Sequence, residues 1–240
     1  MRLEHKVAVV TGAGRGIGRA VALGFAREGA SVILAARTES QVRQVAQEVE
    51  RLGQRALAMV CDVSQEDQVK AMTTAGLREF GRVDVLVNNA GVGNIRPVWG
   101  IPRSAFERVL AVNLVGTFLC TKHLWRSMVE AGGGSIINIS SQGGLRGYPL
   151  LSAYCASKWG QIGFTLACAE EGKPHAIRVN ALAPGKADTA FRAQIDEDKE
   201  RMLKPEDHVG ACVFLASDDS RYVTGHVLPL DWFGPQGAAQ

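Results

Sequence analysis

Several absences narrow the field before any motif is found. The five cysteines, Cys61, Cys120, Cys155, Cys168 and Cys212, show neither paired nor C-x-x-C spacing. That argues against a disulfide framework and for reduced thiols, as in a cytoplasm. The five histidines also lack ligand spacing, so no metal site is expected. No basic run occurs and the formal net charge is +3, which argues against a nucleic-acid partner. The first apolar run, residues 6–10, is too short to span a bilayer, so neither export nor membrane insertion is expected. Linkers, internal repeats and low-complexity stretches are missing too, which predicts one domain over residues 1–240. With 46% hydrophobic and 21% charged residues, the chain can bury a sizeable core.

Short β-branched runs alternate with helical stretches along the chain. Residues 6–10, 31–37, 56–61, 84–87, 135–139, 177–182 and 227–230 read as strands. Helices are expected near residues 20–26, 39–52, 106–118, from about Tyr154 onward, and over 209–216. The alternation predicts an α/β fold, a doubly wound parallel sheet of Rossmann type in three αβα layers, with ligands at the strand C-termini. The last strand contains Pro229 and therefore belongs at a sheet edge. Residues 186–207 are polar, lack a continuous apolar face, and are expected to form a short lid or a solvated helix.

Between the first strand and first helix stands Thr11-Gly12-Ala13-Gly14-Arg15-Gly16-Ile17-Gly18. Missing side chains let a backbone approach phosphate, and a helix N-terminus favours negative charge there. The spacing is G-x-x-x-G-x-G rather than the more widespread G-x-G-x-x-G. At the end of the second strand an acidic residue would select the free 2′-hydroxyl of NAD. Ala36 and Arg37 stand there instead. Arg37, helped by Arg15, is placed to grip a 2′-phosphate, so NADP(H) is the expected cofactor. Two solvated surface arginines are the plainer alternative.

Further along, Asp62, followed by Val63, could accept a hydrogen bond from an adenine amino group; Ser64 is the more natural cap for the next helix. Asn88-Asn89-Ala90-Gly91 could tie strand ends together while leaving room for a cofactor, or simply form a turn. Asn113, set among apolar neighbours in mid-helix, predicts a local irregularity organised by its amide and a water. Pro184-Gly185 stops the sixth strand, and Thr189 just beyond would reach a nicotinamide carboxamide or pyrophosphate.

Tyr154 and Lys158 stand four residues apart in a breaker-free run, one helical turn from each other on one face. A nearby ammonium favours the phenolate and lowers the tyrosine pKa, so Tyr154 can act as a general acid or base near neutral pH. Ser141, on the preceding loop, could hydrogen-bond the oxygen on which Tyr154 works. Taken alone, such a pair is common on exposed helices and carries little.

In order and spacing, Thr11, Gly12, Gly16, Ile17 and Gly18, then Asp62, Asn88 to Gly91, Asn113, Ser141, Tyr154 with Lys158, and Pro184-Gly185 resemble the short-chain dehydrogenase/reductase family over essentially the whole chain. The branch that looks most similar contains 3-oxoacyl-[acyl-carrier-protein] reductases and related NADP-dependent carbonyl reductases. The resemblance implies that Tyr154 is the catalytic acid/base, that Lys158 lowers its pKa and binds the nicotinamide ribose, that Ser141 polarises the substrate oxygen, and that Asn113 holds a relay water. The implied cofactor set is Gly12, Arg15, Gly16, Ile17, Gly18, Arg37, Asp62, Val63, Asn89, Ala90, Gly91, Tyr154, Lys158, Pro184, Gly185 and Thr189. It implies hydride transfer between NADP(H) and a ketone or secondary alcohol, and a homotetramer or homodimer built on the 103–128 region and the Tyr154 helix. Gln142, Leu145 and Tyr148 are the expected substrate contacts. Acyl-carrier-protein docking would need a basic patch, for which Arg103, Arg108, Lys122 and Arg126 are the candidates. An NAD-dependent alcohol or sugar dehydrogenase of the same family, and a catalytically silent NADP-sensing module, are the competing readings. Departures from the family pattern lie after Gly185, at 168–175 and at Leu230-Asp231-Trp232-Phe233-Gly234, and they bear on substrate rather than on hydride chemistry.

Overall fold

The computed structural model describes residues 1–187 and 202–231. Seven parallel strands form one sheet in the order β3-β2-β1-β4-β5-β6-β7. They are β1 (Val7–Thr11), β2 (Ser31–Ala36), β3 (Ala56–Val60), β4 (Val85–Asn88), β5 (Gly134–Ile139), β6 (Ile177–Pro184) and β7 (Val227–Leu230). The helices are α1 (Gly16–Arg27), α2 (Glu39–Arg51), α3 (Glu66–Phe80), α4 (Arg103–Leu110), α5 (Gly116–Glu130), α6 (Ser152–Gly172) and α7 (Val209–Ala216).

Successive residues of a strand point to opposite faces, and central strands of a covered parallel sheet must be apolar on both. Ala8, Val10, Val32, Leu34, Val85, Val87 and Ile137 pack on one side against Val21 and Phe25 of α1, Val45 and Val49 of α2, and Val213 and Leu215 of α7. Val7, Val9, Ile33, Leu86, Ile136 and Val179 pack on the other against Met72 of α3, Leu119 and Leu124 of α5, and Ala169 of α6. These two cores give the expected three-layer αβα architecture. Pro229 lies in β7, whose only strand partner among the described residues is β6, so its missing N–H interrupts no second ladder there.

Two local expectations changed. The predicted helix around Asn113 is a continuous helical stretch from Arg103 to Glu130, interrupted by a π turn at Ala111–Val115. The irregularity falls where Asn113 predicts it. That stretch, 28 residues long, has the length and apolarity of a membrane span, but Leu119, Cys120, Leu124 and Met128 face the core. Ser64 does not cap α3: Gln65 occupies the cap without a side-chain bond. Ser64 instead donates its N–H and hydroxyl to Asp62 Oδ1 at 3.0 and 2.7 Å, because an ionised carboxylate is the stronger acceptor.

The strand order reverses between β1 and β4, and there the loops leaving neighbouring strands diverge. A cleft of about 700 Å³ opens at the strand C-termini, bordered by Gly12, Ala36, Cys61, Asn89, Ser140 and Pro184. Lys186 and Ala187 meet Leu203 across the start and end of the expected lid: Leu203 N donates to Lys186 O at 2.8 Å, and Ala187 forms a parallel bridge with Leu203. Residues 188–201 of that lid, with Thr189, lie outside the described residues.

Candidate active site

The cleft begins at the glycine turn. Gly12 takes a φ of 64°, a left-handed conformation that a residue without Cβ reaches freely. A Cβ on Gly18 would collide with Asn89 Nδ2 and the Gly12 carbonyl. Thr11 Oγ1 accepts from the backbone of Asn89 and Ala90 at 3.0 and 3.1 Å, and Asn89 Nδ2 donates to Thr11 O at 2.8 Å. In the sheet below, Asn88 Nδ2 donates to Asn138 Oδ1 at 2.9 Å, joining β4 to β5. The side-chain amides therefore do tie the strand ends together.

No side chain caps α1, whose preceding residue Arg15 is extended. Gly16 and Ile17 at its start line the cleft, and a helix start without a side-chain cap among the described residues suits an anion. Arg15, Ile17, Ala36, Arg37, Thr38 and Gln41 line this end, and neither Arg15 nor Arg37 is ion-paired among the described residues. The cradle, the open helix end and the two guanidiniums fit the phosphates of a dinucleotide.

Asp62 and Val63 close the neighbouring wall. Arg108 Nη2 donates to Asp62 Oδ2 at 2.9 Å. Burial alone would raise the Asp62 carboxyl, but hydrogen bonds from Ser64 and Arg108, with the guanidinium charge, outweigh it and hold it below the usual range.

At the other end, Ser140, Ser141, Gln142, Gly143, Tyr148, Tyr154, Lys158, Pro184 and Gly185 share the same cleft with Asn89, Ala90 and Gly91. Strand β5 delivers Ser141, whose Oγ accepts from Gly143 N at 3.1 Å and so holds the short turn that follows. Helix α6 presents Tyr154 and, one turn on, Lys158, with Lys158 Nζ 5.7 Å from the Tyr154 ring centre. Lys158 is fully enclosed; Nζ donates to Ile139 O at 2.7 Å and to Gln161 Oε1 at 3.1 Å, and burial pushes its pKa down to about 7.

Asn113, inside the π turn, is completely buried. Its amide donates to Val92 O and Ser157 Oγ at 2.9 Å each and accepts from Val92 N at 2.8 Å, so the turn is held to the loop after β4. π turns recur where a helix must present irregular backbone to a site.

A model of the short-chain dehydrogenase family matches residues 6–200. The chain belongs to the short-chain dehydrogenase/reductase family. This short-chain dehydrogenase is 38% identical over 241 residues to the 3-oxoacyl-[acyl-carrier-protein] reductase FabG of Thermotoga maritima, covering 96% of this chain and 98% of that protein. It is also 38% identical over 253 residues to galactitol 2-dehydrogenase of Agrobacterium fabrum, covering 96% of this chain and 98% of that one. Among solved structures, a 7α-hydroxysteroid dehydrogenase complexed with NADH and 7-oxo glycochenodeoxycholic acid superposes with a TM-score of 0.93 at 30% identity, over 99% of this chain and 97% of that one. The protein is therefore an oxidoreductase of a family that binds nicotinamide cofactors.

One expected contact does not reach the cleft of this dehydrogenase. Gln142 and Tyr148 are drawn inward together, Tyr148 Oη donating to Gln142 Oε1 at 2.9 Å, with Arg146 bonded to both. Leu145 has no such tether; it closes the turn and faces solvent. Sequence reasoning missed Thr38 and Gln41 in the cleft lining beside Arg37, and Gln161, which accepts from Lys158. The available signal for Gln161 was a large amide three residues after Lys158 in an otherwise apolar helical stretch.

Proposed function

We propose that this protein is an NADP(H)-dependent oxidoreductase that reduces a ketone to a secondary alcohol, or runs the reverse oxidation. The observation that carries the cofactor choice is the end of the cleft beyond β2, where Arg15 and Arg37 have no ion-pair partner among the described residues and β2 ends in Ala36 rather than a carboxylate. The nicotinamide, when bound, supplies or accepts the hydride. Tyr154 gives the proton to the carbonyl oxygen, and takes it back in oxidation. Lys158 stabilises the Tyr154 phenolate and directs an N–H at the cofactor ribose. Ser141 donates a hydrogen bond to the same substrate oxygen and fixes it beside Tyr154. Asn113 shapes the π turn that backs this group, and Gly12, Gly16, Gly18, Asn89, Ala90, Gly91, Pro184 and Gly185 form the bed for the dinucleotide.

A second reading keeps the chemistry and changes the cofactor. A relative named galactitol 2-dehydrogenase and a neighbouring structure holding NADH favour NAD and an alcohol substrate. Cofactor titration separates the two, with NADPH and NADH compared by tryptophan quenching on wild type and Arg37→Ala. Preference for NADPH that disappears in the variant supports the first reading. Equal binding of both, unchanged by the substitution, transfers the assignment to NAD and directs the substrate screen to alcohols. Binding of neither removes the enzyme reading.

The substrate in this proposal is a small carbonyl compound or alcohol. Arg103, Arg108, Lys122 and Arg126 are each paired with a carboxylate, which leaves little free positive charge for an acidic carrier protein. Half-exposed Phe118 on α5 with Trp159 and Leu166 on α6 support self-association through these helices as a homotetramer or homodimer. The five unbridged, buried thiols are in keeping with a cytoplasmic setting.

A further inference from the structure

Gln161 is fully buried in the middle of α6, two helical turns beyond Tyr154 and close to the same face. A primary amide has two donors and a carbonyl acceptor, and burying it is costly unless they are used. Here they are. Oε1 accepts from Lys158 Nζ at 3.1 Å, and Nε2 donates to Thr117 Oγ1 at 2.8 Å. Thr117 Oγ1 donates in turn to the backbone carbonyl of Asn113 at 2.8 Å, within the π turn. The amide orientation follows from chemistry, because an ammonium has nothing to accept with and must meet the oxygen. Every link thus donates in one direction, from Lys158 through Gln161 and Thr117 to Asn113. The backbone oxygen of Gln161 also accepts from Thr165 Oγ1 at 2.8 Å, which pins the residue at both ends.

An ammonium carries three N–H bonds in tetrahedral array. The Ile139 carbonyl and Gln161 Oε1 take two of them, so the direction of the third is no longer free. We propose that Gln161 is a positioning residue for Lys158, accepting the hydrogen bond that aims the remaining N–H into the cleft and anchoring that arrangement to the Asn113 carbonyl through Thr117. The inference rests on the reading of Lys158 as partner of Tyr154 and of the cofactor ribose.

A residue that only filled space would leave the titration of Lys158 alone, whereas an acceptor on the charged form favours that form. Tyr154 is the titratable group that faces Lys158 from its own helix. The groups against it from the loop after β4 and from β5 are Gly91 and the Ile139 carbonyl, neither of which titrates. Tyr154 is the same in every protein compared, so a change in the Lys158 midpoint between Gln161 variants reports the Gln161 contact.

The test follows that midpoint by NMR in full-length protein carrying ¹³Cε-lysine, with the Lys158 signal assigned by its loss in Lys158→Met. Gln161→Met keeps the length and removes the acceptor; Gln161→Glu puts a carboxylate in its place. The expected result is a midpoint lowered by about half a pH unit or more in Gln161→Met and raised in Gln161→Glu, with cofactor affinity reduced several-fold in Gln161→Met. A folded Gln161→Met with the wild-type midpoint overturns the proposal. If that variant does not fold, Gln161→Glu decides alone: a raised midpoint supports the contact and an unmoved one sinks it. Failure of the underlying reading would look different, namely a Lys158→Met protein that binds cofactor as wild type does while the Gln161 variants still shift the Lys158 midpoint.

Discussion

Arg108 reaches from α4 across the end of β3 and donates to Asp62 Oδ2 at 2.9 Å, while its Nη1 donates to Ser64 Oγ at 3.1 Å. With Ser64 giving two hydrogen bonds to Oδ1, the carboxylate is clamped from both sides at the cleft wall. The residue that sequence placed in a docking patch is instead spent on orienting an acceptor.

Replacing Arg108 with Leu removes a charge-assisted bond at a part-buried pair and lets the Asp62 carboxylate rotate. An interaction of this kind is worth roughly 1–2 kcal/mol, so cofactor affinity should fall about tenfold with little change in kcat at saturating cofactor. The acid response should change too. The Asp62 carboxyl is held low in the folded wild type, so its stabilising contribution is present above the unfolded value and disappears as pH falls through the folded one. The variant should lose stability at a higher pH than wild type on acid titration. Fluorescence titration giving equal affinities for the two proteins would show that Arg108 does not support the adenosine site.

Gly18→Ala tests the glycine turn from inside. The added methyl has no room, since it would meet Asn89 Nδ2 and the Gly12 carbonyl, groups that join β1 to β4. Overpacking of this kind costs about 1–3 kcal/mol. The expected outcome is a lower thermal midpoint together with loss of measurable cofactor binding, read by differential scanning calorimetry with and without cofactor. Retained stability with retained binding would mean that the turn yields, and that its glycines are not required for close approach.

What could be read in the sequence was whatever the backbone pattern or local chemistry imposes. The strand boundaries followed from β-branched runs because both sheet faces are buried. The irregularity at Asn113 was legible because an amide among Val112, Leu114 and Val115 has to find partners, and the backbone distorts to supply them. Contacts that join elements distant in sequence were not legible. Nothing in residues near Asp62 announces Arg108, 46 positions on, and nothing near Lys158 announces Thr117 on another helix. The outward placement of Leu145 was not legible either, since hydrogen bonds among Gln142, Arg146 and Tyr148 shape its turn and a sequence spacing does not reveal them.

The depressed pKa of Lys158 makes a prediction about stability that needs no substrate. In the unfolded chain a lysine holds its proton to about pH 10.4. In the folded protein burial brings the value down to about 7. Between those limits the unfolded chain binds more protons than the folded one, so stability contributed by this group rises with pH across the window and falls away toward pH 7 and below. Lys158→Met abolishes that dependence while other titrations cancel in the comparison. The unfolding free energy of wild type minus that of Lys158→Met should therefore grow by about 2–3 kcal/mol from pH 6 to pH 9, at 1.36 kcal/mol per unit. Urea unfolding of both proteins at several pH values measures it. A difference that stays flat would mean that Lys158 keeps an ordinary pKa, and that water reaches its ammonium when the cleft carries no cofactor.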